Sequence, residues 1–134
     1  MRLRLTAVLV SLAVLGLAMV GCASHSAGSA VDRHDPESVL RAYFSAWERG
    51  DWSAQASFMA PQYSRMVPEP LDSLRIDKLA VLEESSTRCL FEVDFEVKVT
   101  GEGVSMSSGE YPWTYELTWD PGGQSWLITN YGAG

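Results

Sequence analysis

Residues 89–99 constrain the fold more than any other segment, because apolar and charged side chains alternate strictly from residue 91 to residue 99. The apolar positions are Phe91, Val93, Phe95, Val97 and Val99, and the charged positions between them are Glu92, Asp94, Glu96 and Lys98. Successive side chains of a strand point to opposite faces of a sheet, so this pattern predicts a strand with one buried and one solvated face. Such a strand requires partner strands and a covering layer, which the rest of the chain must supply.

The segment before this strand predicts a covering layer of two helices. An Asp-Pro-Glu triplet at 35–37 combines an N-cap, a proline at the first helical position and an acid in the first turn. Apolar side chains then recur at helical spacing: Val39, Leu40, Tyr43, Phe44 and Trp47. Gly50 predicts the end of this helix, and Asp51 predicts the cap of a second helix over residues 52–59, which Pro61 stops.

After an irregular segment at 62–70, apolar residues recur at every second position and no longer at helical spacing. Leu74 begins a strand that is followed by a turn at 83–86, and residues 89–99 form the next strand. A turn of this length between two strands predicts that they pair antiparallel.

The C-terminal part of the chain predicts a hairpin. Residues 111–119 alternate with an aromatic inward face, and an Asp-Pro-Gly-Gly turn at 120–123 follows them. A last strand over 125–131 places Ile128 on the inward face and Tyr131 on the opposite one. Helices followed by a strand meander make an α+β fold, with N-terminal helices packed on one face of a curved antiparallel sheet of about four strands.

With these elements placed, the domain resembles the nuclear transport factor two-like superfamily. The helix, Gly-Asp elbow and second helix at 36–52, the strand at 111–119 and the closing segment at 126–129 carry the resemblance, which covers residues 35–131. It is similar in particular to small bacterial lipoproteins of that superfamily. The resemblance implies a cone in which a curved sheet wraps a long first helix, here a shallow cone over residues 35–134.

The resemblance implies a fold and no reaction. Enzymatic members of the superfamily place aspartate, histidine or tyrosine on the strands that line the cone. The strand carboxylates Glu92, Asp94 and Glu96 have the parity of the outer face, and alternate residues on a strand lie nearly ~7 Å apart, too far to share one Ca²⁺ ion. The two histidines, His25 and His34, precede the domain. The sequence therefore predicts no catalytic residue, no metal site and no cofactor.

The N-terminus predicts export and lipid anchoring. Arg2 and Arg4 precede an apolar run at 5–20, the layout of a secretory signal peptide. This run is shorter than the about 20 residues that a membrane-spanning helix needs. The following Met19-Val20-Gly21-Cys22 resembles the lipobox of bacterial lipoproteins, which implies that diacylglycerol is attached to the Cys22 sulfur and that the chain is cut before it.

The predicted organisation is a signal peptide at 1–21, a flexible tether at 22–34 and one domain at 35–134. The two acyl chains on Cys22 make anchoring stable and place the protein on the extracytoplasmic side of a bacterial membrane. Whether this is the inner or the outer membrane stays open.

Charge and cysteine content exclude several classes of function. The chain has a formal net charge of −7, and removal of residues 1–21, which hold two arginines and no acids, makes it −9. No basic stripe is present to neutralise phosphates, so nucleic acid is excluded as a partner. With Cys22 acylated, Cys89 has no partner for a disulfide, and its parity with Phe91 predicts a buried structural thiol.

The aromatic side chains supply the candidate site. The chain contains five tryptophans, which is many for its length. Because tryptophan combines a large apolar surface with a polar N–H group, it favours the partly solvated walls of a pocket over complete burial. The predicted pocket residues are Tyr43, Trp47, Trp113, Tyr115, Trp126 and Asn130.

These features favour a non-catalytic, lipid-anchored binding or accessory domain of the cell envelope. Its partner would be an envelope protein or a small apolar ligand, in addition to the membrane. One alternative is a small isomerase, dehydratase or hydrolase that uses Asp51, Tyr63 or Tyr115. Another is a structural module that dimerises through its sheet.

Overall fold

Four antiparallel strands form one sheet, and two helices cover one of its faces. The computed structural model describes residues 30–65, 68–101 and 106–133. The elements are α1 (Pro36–Arg49), α2 (Trp52–Ser57), β1 (Leu71–Glu84), β2 (Arg88–Val99), β3 (Gly109–Asp120) and β4 (Ser125–Ala133). The strand order is β1-β2-β3-β4, so the predicted α+β meander of four strands is confirmed. The predicted signal peptide and Cys22 lie outside the described residues.

Local signals define both ends of α1. The Asp35 carboxylate accepts hydrogen bonds from the Ser38 backbone N–H at 3.0 Å and from the Ser38 hydroxyl at 2.6 Å, which satisfies a donor that the helix leaves unpaired. At the other end, Gly50 adopts the left-handed conformation with φ 68°, and its N–H bonds back to the last turn of the helix. The predicted start and end of this helix are confirmed.

The prediction for the second helix was wrong at its C-terminal end. Helix α2 stops at Ser57, because the backbone of the next residues pairs with β4 instead. The Ile128 N–H donates to the Phe58 carbonyl oxygen at 2.9 Å, and the Ala60 N–H donates to the Ile128 carbonyl oxygen at 2.8 Å. These bonds tie the end of the helical layer to the edge of the sheet.

Strand β1 is longer than predicted in both directions. It begins at Leu71 and continues to Glu84, where the sequence predicts a turn. Its pairing with β2 shifts register at three places, the last between Val81 and Glu83. Each shift interrupts the alternation of inward and outward side chains, which explains why a period of two detects only part of this strand.

The apolar face of α1 packs on the inner face of β2 and β3. The Phe44 ring lies 5.1 Å from the Phe95 ring and 5.2 Å from the Tyr115 ring, in edge-to-face contacts. Cys89 is buried in the same layer, as predicted, and burial raises the pKa of its thiol. The strand of alternating residues therefore has the buried face that its sequence predicts.

The outer face of the sheet carries ion pairs. Arg75 pairs with Glu96 at 2.8 Å, Arg88 pairs with Glu116 at 2.6 Å, and Lys78 pairs with Glu92 across β1 and β2. Because these groups are largely exposed to solvent, water screens the attraction and each pair contributes little to stability. This solvated face agrees with the outward parity that the sequence predicts for the strand carboxylates.

The chain contacts the domain before α1 begins. The Arg33 carbonyl oxygen accepts a hydrogen bond from the Trp126 backbone N–H at 3.0 Å, and the Arg33 guanidinium bonds to Ser57 and lies 4.6 Å from the centre of the Phe58 ring. The His34 carbonyl oxygen accepts from the indole N–H of Trp126 at 3.1 Å. The end of the predicted tether is thus held against β4 and α2.

Replacing Gly50 tests the turn between the helices. A Cβ atom at this position would lie 3.6 Å from the Trp52 ring, an ordinary contact, so strain comes from the positive φ alone. We expect Gly50→Ala to lower the free energy of unfolding in urea by about 1–2 kcal/mol. Gly50→Asn is the matched control and should lose less, because asparagine tolerates this conformation. Equal losses for the two variants would contradict the assignment of strain.

Candidate ligand-binding cavity

A cavity of about 250 Å³ opens between the helices and the inner face of the sheet. Its lining residues are Tyr43, Trp47, Gln55, Met59, Pro68, Glu69, Met106, Tyr111, Trp113 and Tyr131. Three of the predicted pocket residues, Tyr43, Trp47 and Trp113, are therefore brought together in one site.

Regular secondary structure positions the aromatic walls. Tyr43 and Trp47 are four residues apart on α1 and so project from the same face of the helix. Tyr111 and Trp113 alternate on the inward face of β3, and Trp113 stands edge-on to Phe95 with ring centres 5.5 Å apart. The walls are thus supported from behind by the core.

The Trp47 side chain also fixes the segment that closes one side of the cavity. Its indole N–H donates to the Glu69 backbone carbonyl oxygen at 2.9 Å. This bond joins the segment before β1 to α1, and Pro68 beside it adds an apolar contact surface to the lining. This side-chain hydrogen bond therefore helps to hold one wall of the cavity in place.

Two buried tyrosines lie at the cavity: Tyr43 lines it, and Tyr115 lies behind Tyr43. Tyr43 is buried, and Tyr115 lies fully buried directly behind it, with ring centres 5.8 Å apart. Burial raises the pKa of Tyr43 well above its usual value and Tyr131 adds to this, whereas the nearby polar groups of Gln55 and Tyr115 lower it. Burial also raises the pKa of Tyr115. Both hydroxyls are accordingly protonated, and thus able to donate, at neutral pH.

The Tyr115 hydroxyl is a buried polar group without a partner. The Tyr115 hydroxyl lies near the Tyr43 side chain. No group in the described ranges forms a hydrogen bond of good geometry with it. Native proteins pair nearly all buried polar groups, because leaving one unsatisfied costs about 1–3 kcal/mol.

The structure does not bring the other three predicted pocket residues into the cavity lining. Trp126 packs edge-on to Trp119, with ring centres 5.8 Å apart, at a different part of the sheet. Asn130 is exposed and lies opposite Glu116, an outward-facing residue. Tyr115 stands behind the cavity wall and is not part of the lining.

An irregularity in β4 explains why Tyr131 was missed. Leu117 pairs with Ile128 but Glu116 pairs with Asn130, so one extra residue of β4 is accommodated between them. This bulge reverses the parity of the strand end and turns Tyr131 toward the cavity, contrary to the predicted opposite face. The Tyr131 ring stacks on that of Tyr115, with centres 5.8 Å apart.

Sequence reasoning also missed Gln55 and Glu69. Gln55 is a buried polar residue on α2, a placement that helical periodicity alone does not reveal in a six-residue helix. Glu69 lies between Pro68 and Pro70 in the segment predicted to be irregular. Both flanking prolines restrict the backbone, and this restriction could have indicated an ordered segment at this position.

The residues proposed for an enzyme occupy separate places. The Asp51 carboxylate accepts the Ala54 backbone N–H at 3.0 Å, so it caps α2 from an exposed position. Tyr63 packs edge-on to Tyr131 with ring centres 5.7 Å apart, outside the lining. These two side chains are engaged in structural contacts.

One carboxylate cluster lies on the outer face of the described sheet. Oxygens of Asp77, Glu96 and Glu110 come within 4.8 Å of one another. Arg75 donates hydrogen bonds to Asp77 at 2.6 Å and to Glu96 at 2.8 Å, so a protein cation already balances two of the three charges. The arrangement is explained as part of the surface ion pairs.

Comparisons with known proteins bear on the fold. No protein-family model matches the sequence, and no curated protein matches it. The structure is similar to the solution structure of a SEC-C motif-containing protein from Rhodopseudomonas palustris, with a TM-score of 0.55 and 13% sequence identity over 77% of this chain and 81% of that one. A weaker likeness is to the crystal structure of a provisionally assigned polyketide cyclase from Xanthomonas campestris pv. campestris, with a TM-score of 0.37 and 22% identity over 70% of this chain and 88% of that one.

The first of these likenesses shows that the α+β arrangement recurs in another bacterial protein. At this level of identity it shows the fold alone. Among the described residues, no helix is both long and apolar enough to cross a membrane.

Alkaline unfolding tests the buried tyrosines. Their pKa values are raised in the folded state, so above about pH 10, where tyrosines ionise in the unfolded chain, the unfolded state loses protons first. We expect the free energy of unfolding to fall as the pH rises through this range. Tyr115→Phe should fall less steeply than the wild type. Identical slopes for the two proteins would contradict the assignment, and data between pH 7 and about pH 9 provide the baseline.

Proposed function

We propose that this chain is a lipid-anchored protein of the bacterial envelope whose domain binds a small apolar ligand without transforming it. The observation that carries the proposal is the cavity with aromatic walls between α1 and the sheet. An envelope protein remains the alternative partner, with the domain serving as an accessory module.

The size and walls of the cavity support a small, flat ligand. Its volume of about 250 Å³ lies just below the ~300–1,000 Å³ of typical small-molecule sites. Trp47, Trp113 and Tyr131 contribute aromatic rings to the lining, and contact between aromatic rings is more favourable than the buried area alone supplies. The cavity therefore suits one or two fused rings better than a flexible chain.

The polar groups of the cavity support binding over catalysis. A general base needs a pKa near the working pH, whereas burial holds the pKa values of Tyr43 and Tyr115 far above neutrality. These hydroxyls can donate hydrogen bonds but cannot accept protons from a substrate at neutral pH.

The cone fold and the anchor complete the proposal. The order of elements, with helices before a four-stranded meander, supports membership of the nuclear transport factor two-like superfamily. The lipobox-like Met19-Val20-Gly21-Cys22 supports acylation at Cys22. Because Arg33 is held against α2 and β4, about eleven residues separate the proposed acylation site from the domain; a flexible chain of that length would span roughly 20 Å, so we expect the cavity to lie close to the bilayer.

Ligand binding is tested with a probe that fills the cavity. Tetralin, a bicyclic hydrocarbon, should change the fluorescence of Trp47 and Trp113 when added to the full-length protein in lipid nanodiscs. We expect Trp113→Ala to weaken its binding about tenfold through loss of one wall. Trp119→Phe, which lies outside the cavity lining, is the matched control and should bind as the wild type does. No saturable change in the wild type would contradict the proposal.

Anchoring is tested separately by cell fractionation. The wild-type protein should sediment with membranes, and Cys22→Ala should lose this association while retaining the same unfolding free energy. Crosslinking from membranes with both proteins shows whether partners recognise the domain. Membrane retention of Cys22→Ala would contradict lipid anchoring.

The alternative of a small enzyme draws support from one observation. Glu69 lines the same cavity as Tyr43, so two residues with titratable side chains share one cleft. Turnover of an envelope substrate that Glu69→Gln abolishes without weakening ligand binding would favour the enzyme. Sheet-mediated dimerisation is disfavoured by the charged outer face, and a dimeric mass in solution would support it instead.

A further inference from the structure

Aromatic rings from three elements make up half of the cavity lining. Five of the ten lining residues are aromatic: Tyr43, Trp47, Tyr111, Trp113 and Tyr131. They belong to α1, β3 and β4, so the rings approach the cavity from different sides. Their planes also differ in direction: those of Tyr111 and Trp113 are 74° apart. Those of Tyr43 and Trp47 are 55° apart. Rings arranged in this way bound the cavity as a cage and do not form a flat stack.

The charge of the lining is negative. Glu69 is the charged residue among the ten that line the cavity in the described ranges, and none of the ten is basic. The chain as a whole carries a formal net charge of −7. A negative potential attracts cations and opposes the binding of anions. The charge of this site therefore matches a positively charged ligand.

An aromatic lining matches the same kind of ligand. The face of an aromatic ring carries partial negative charge, so a cation within about 6 Å of the ring centre is attracted to it. This attraction is stronger in a site from which water is displaced. A quaternary ammonium group suits such a site, because it has no N–H proton that would need a hydrogen-bond acceptor after burial. Its alkyl groups can pack on the apolar lining residues Met59 and Pro68.

Two of the lining rings have already used their polar protons. The indole N–H of Trp47 donates to the Glu69 backbone carbonyl oxygen at 2.9 Å. The Tyr111 hydroxyl donates to the Ser107 carbonyl oxygen at 2.6 Å. These protons are satisfied by the protein, so Trp47 and Tyr111 have their rings to offer to a ligand. This favours recognition of a cation by the rings over recognition of an acceptor atom by these two donors.

We propose, on the basis of the ligand-binding function above, that the ring compound bound in the cavity is a cation that bears a quaternary ammonium group. The aromatic cage surrounds the ammonium group, and Glu69 adds negative charge to the site. The ring system of the ligand supplies apolar contact area. Its positive charge supplies the selectivity over neutral compounds of the same shape.

The test compares two probes that differ by one atom and one charge. The cation is 2,2-dimethyl-1,2,3,4-tetrahydroisoquinolinium, and its neutral isostere is 2,2-dimethyltetralin, in which carbon replaces the charged nitrogen. Binding to the full-length protein is measured by titration calorimetry in dodecyl maltoside micelles, which carry no charge and no ammonium group. Titration into empty micelles corrects for partitioning. The wild type should bind the cation about tenfold more tightly than the isostere.

Replacing one ring of the cage tests the origin of this preference. Trp113→Leu removes an aromatic ring but keeps an apolar side chain, so it should lower the preference for the cation about fivefold. Trp119→Leu is the matched control, because Trp119 is also half-buried on β3 but lies outside the lining. It should retain the preference of the wild type.

Replacing the acid tests the contribution of charge. Glu69→Gln keeps the backbone carbonyl that Trp47 binds, and it should weaken binding of the cation about threefold while leaving the isostere unchanged. Glu48→Gln makes the same change in net charge at an exposed position of α1 outside the lining. This control should bind both probes as the wild type does.

The outcomes separate this inference from the function on which it rests. If the isostere binds the wild type as tightly as the cation, or if only tetralin binds, the inference of a cation is wrong and the binding of a small apolar ligand stands. If none of the three compounds binds, both proposals are wrong. If Trp113→Leu weakens both probes alike, Trp113 is an apolar wall and its role in the cage is overturned. Equal losses in Glu69→Gln and Glu48→Gln would overturn the role of Glu69.

Discussion

The packing of the α1 aromatic face on the inner face of β2 and β3 is the interaction on which the rest of the structure depends. Phe44 contacts Phe95 and Tyr115 at ring distances of 5.1 Å and 5.2 Å, which places the helix over the middle of the sheet. One turn further along the helix, Trp47 reaches past this contact and holds the segment before β1 through Glu69. The same helix therefore contributes Phe44 to the core and Trp47 to the lining of the cavity.

The sequence predicted the parts of this arrangement that local chemistry determines. The Asp35 cap, the Gly50 stop and the alternation that buries Phe91 and Phe95 each act within a few residues, so pattern and propensity reveal them. The buried state of Cys89 followed from the same alternation.

The rest of the site depends on contacts between distant segments, which local patterns do not encode. A bulge in β4 turned Tyr131 inward and left Asn130 exposed, and backbone pairing with the same strand shortened α2. Trp126 was predicted as a pocket residue because it is aromatic, yet its indole N–H donates to the His34 carbonyl oxygen at another part of the sheet. Aromatic content thus predicted that a pocket exists but only part of its membership.

The hydroxyl groups of Tyr43 and Tyr115 oppose folding more than they assist it. Tyr43 and Tyr115 lie in the layer where Phe44 and Phe95 pack without any polar atom, so phenylalanine at either position would be compatible with the same core. Burial of the Tyr115 hydroxyl without a partner removes stability from a domain whose core is small. Residues that lower stability in this way are expected at functional sites, because the packing of the core does not require them. Because Tyr115 lies directly behind Tyr43, which lines the cavity, this cost falls next to the cavity and not at a random place in the core.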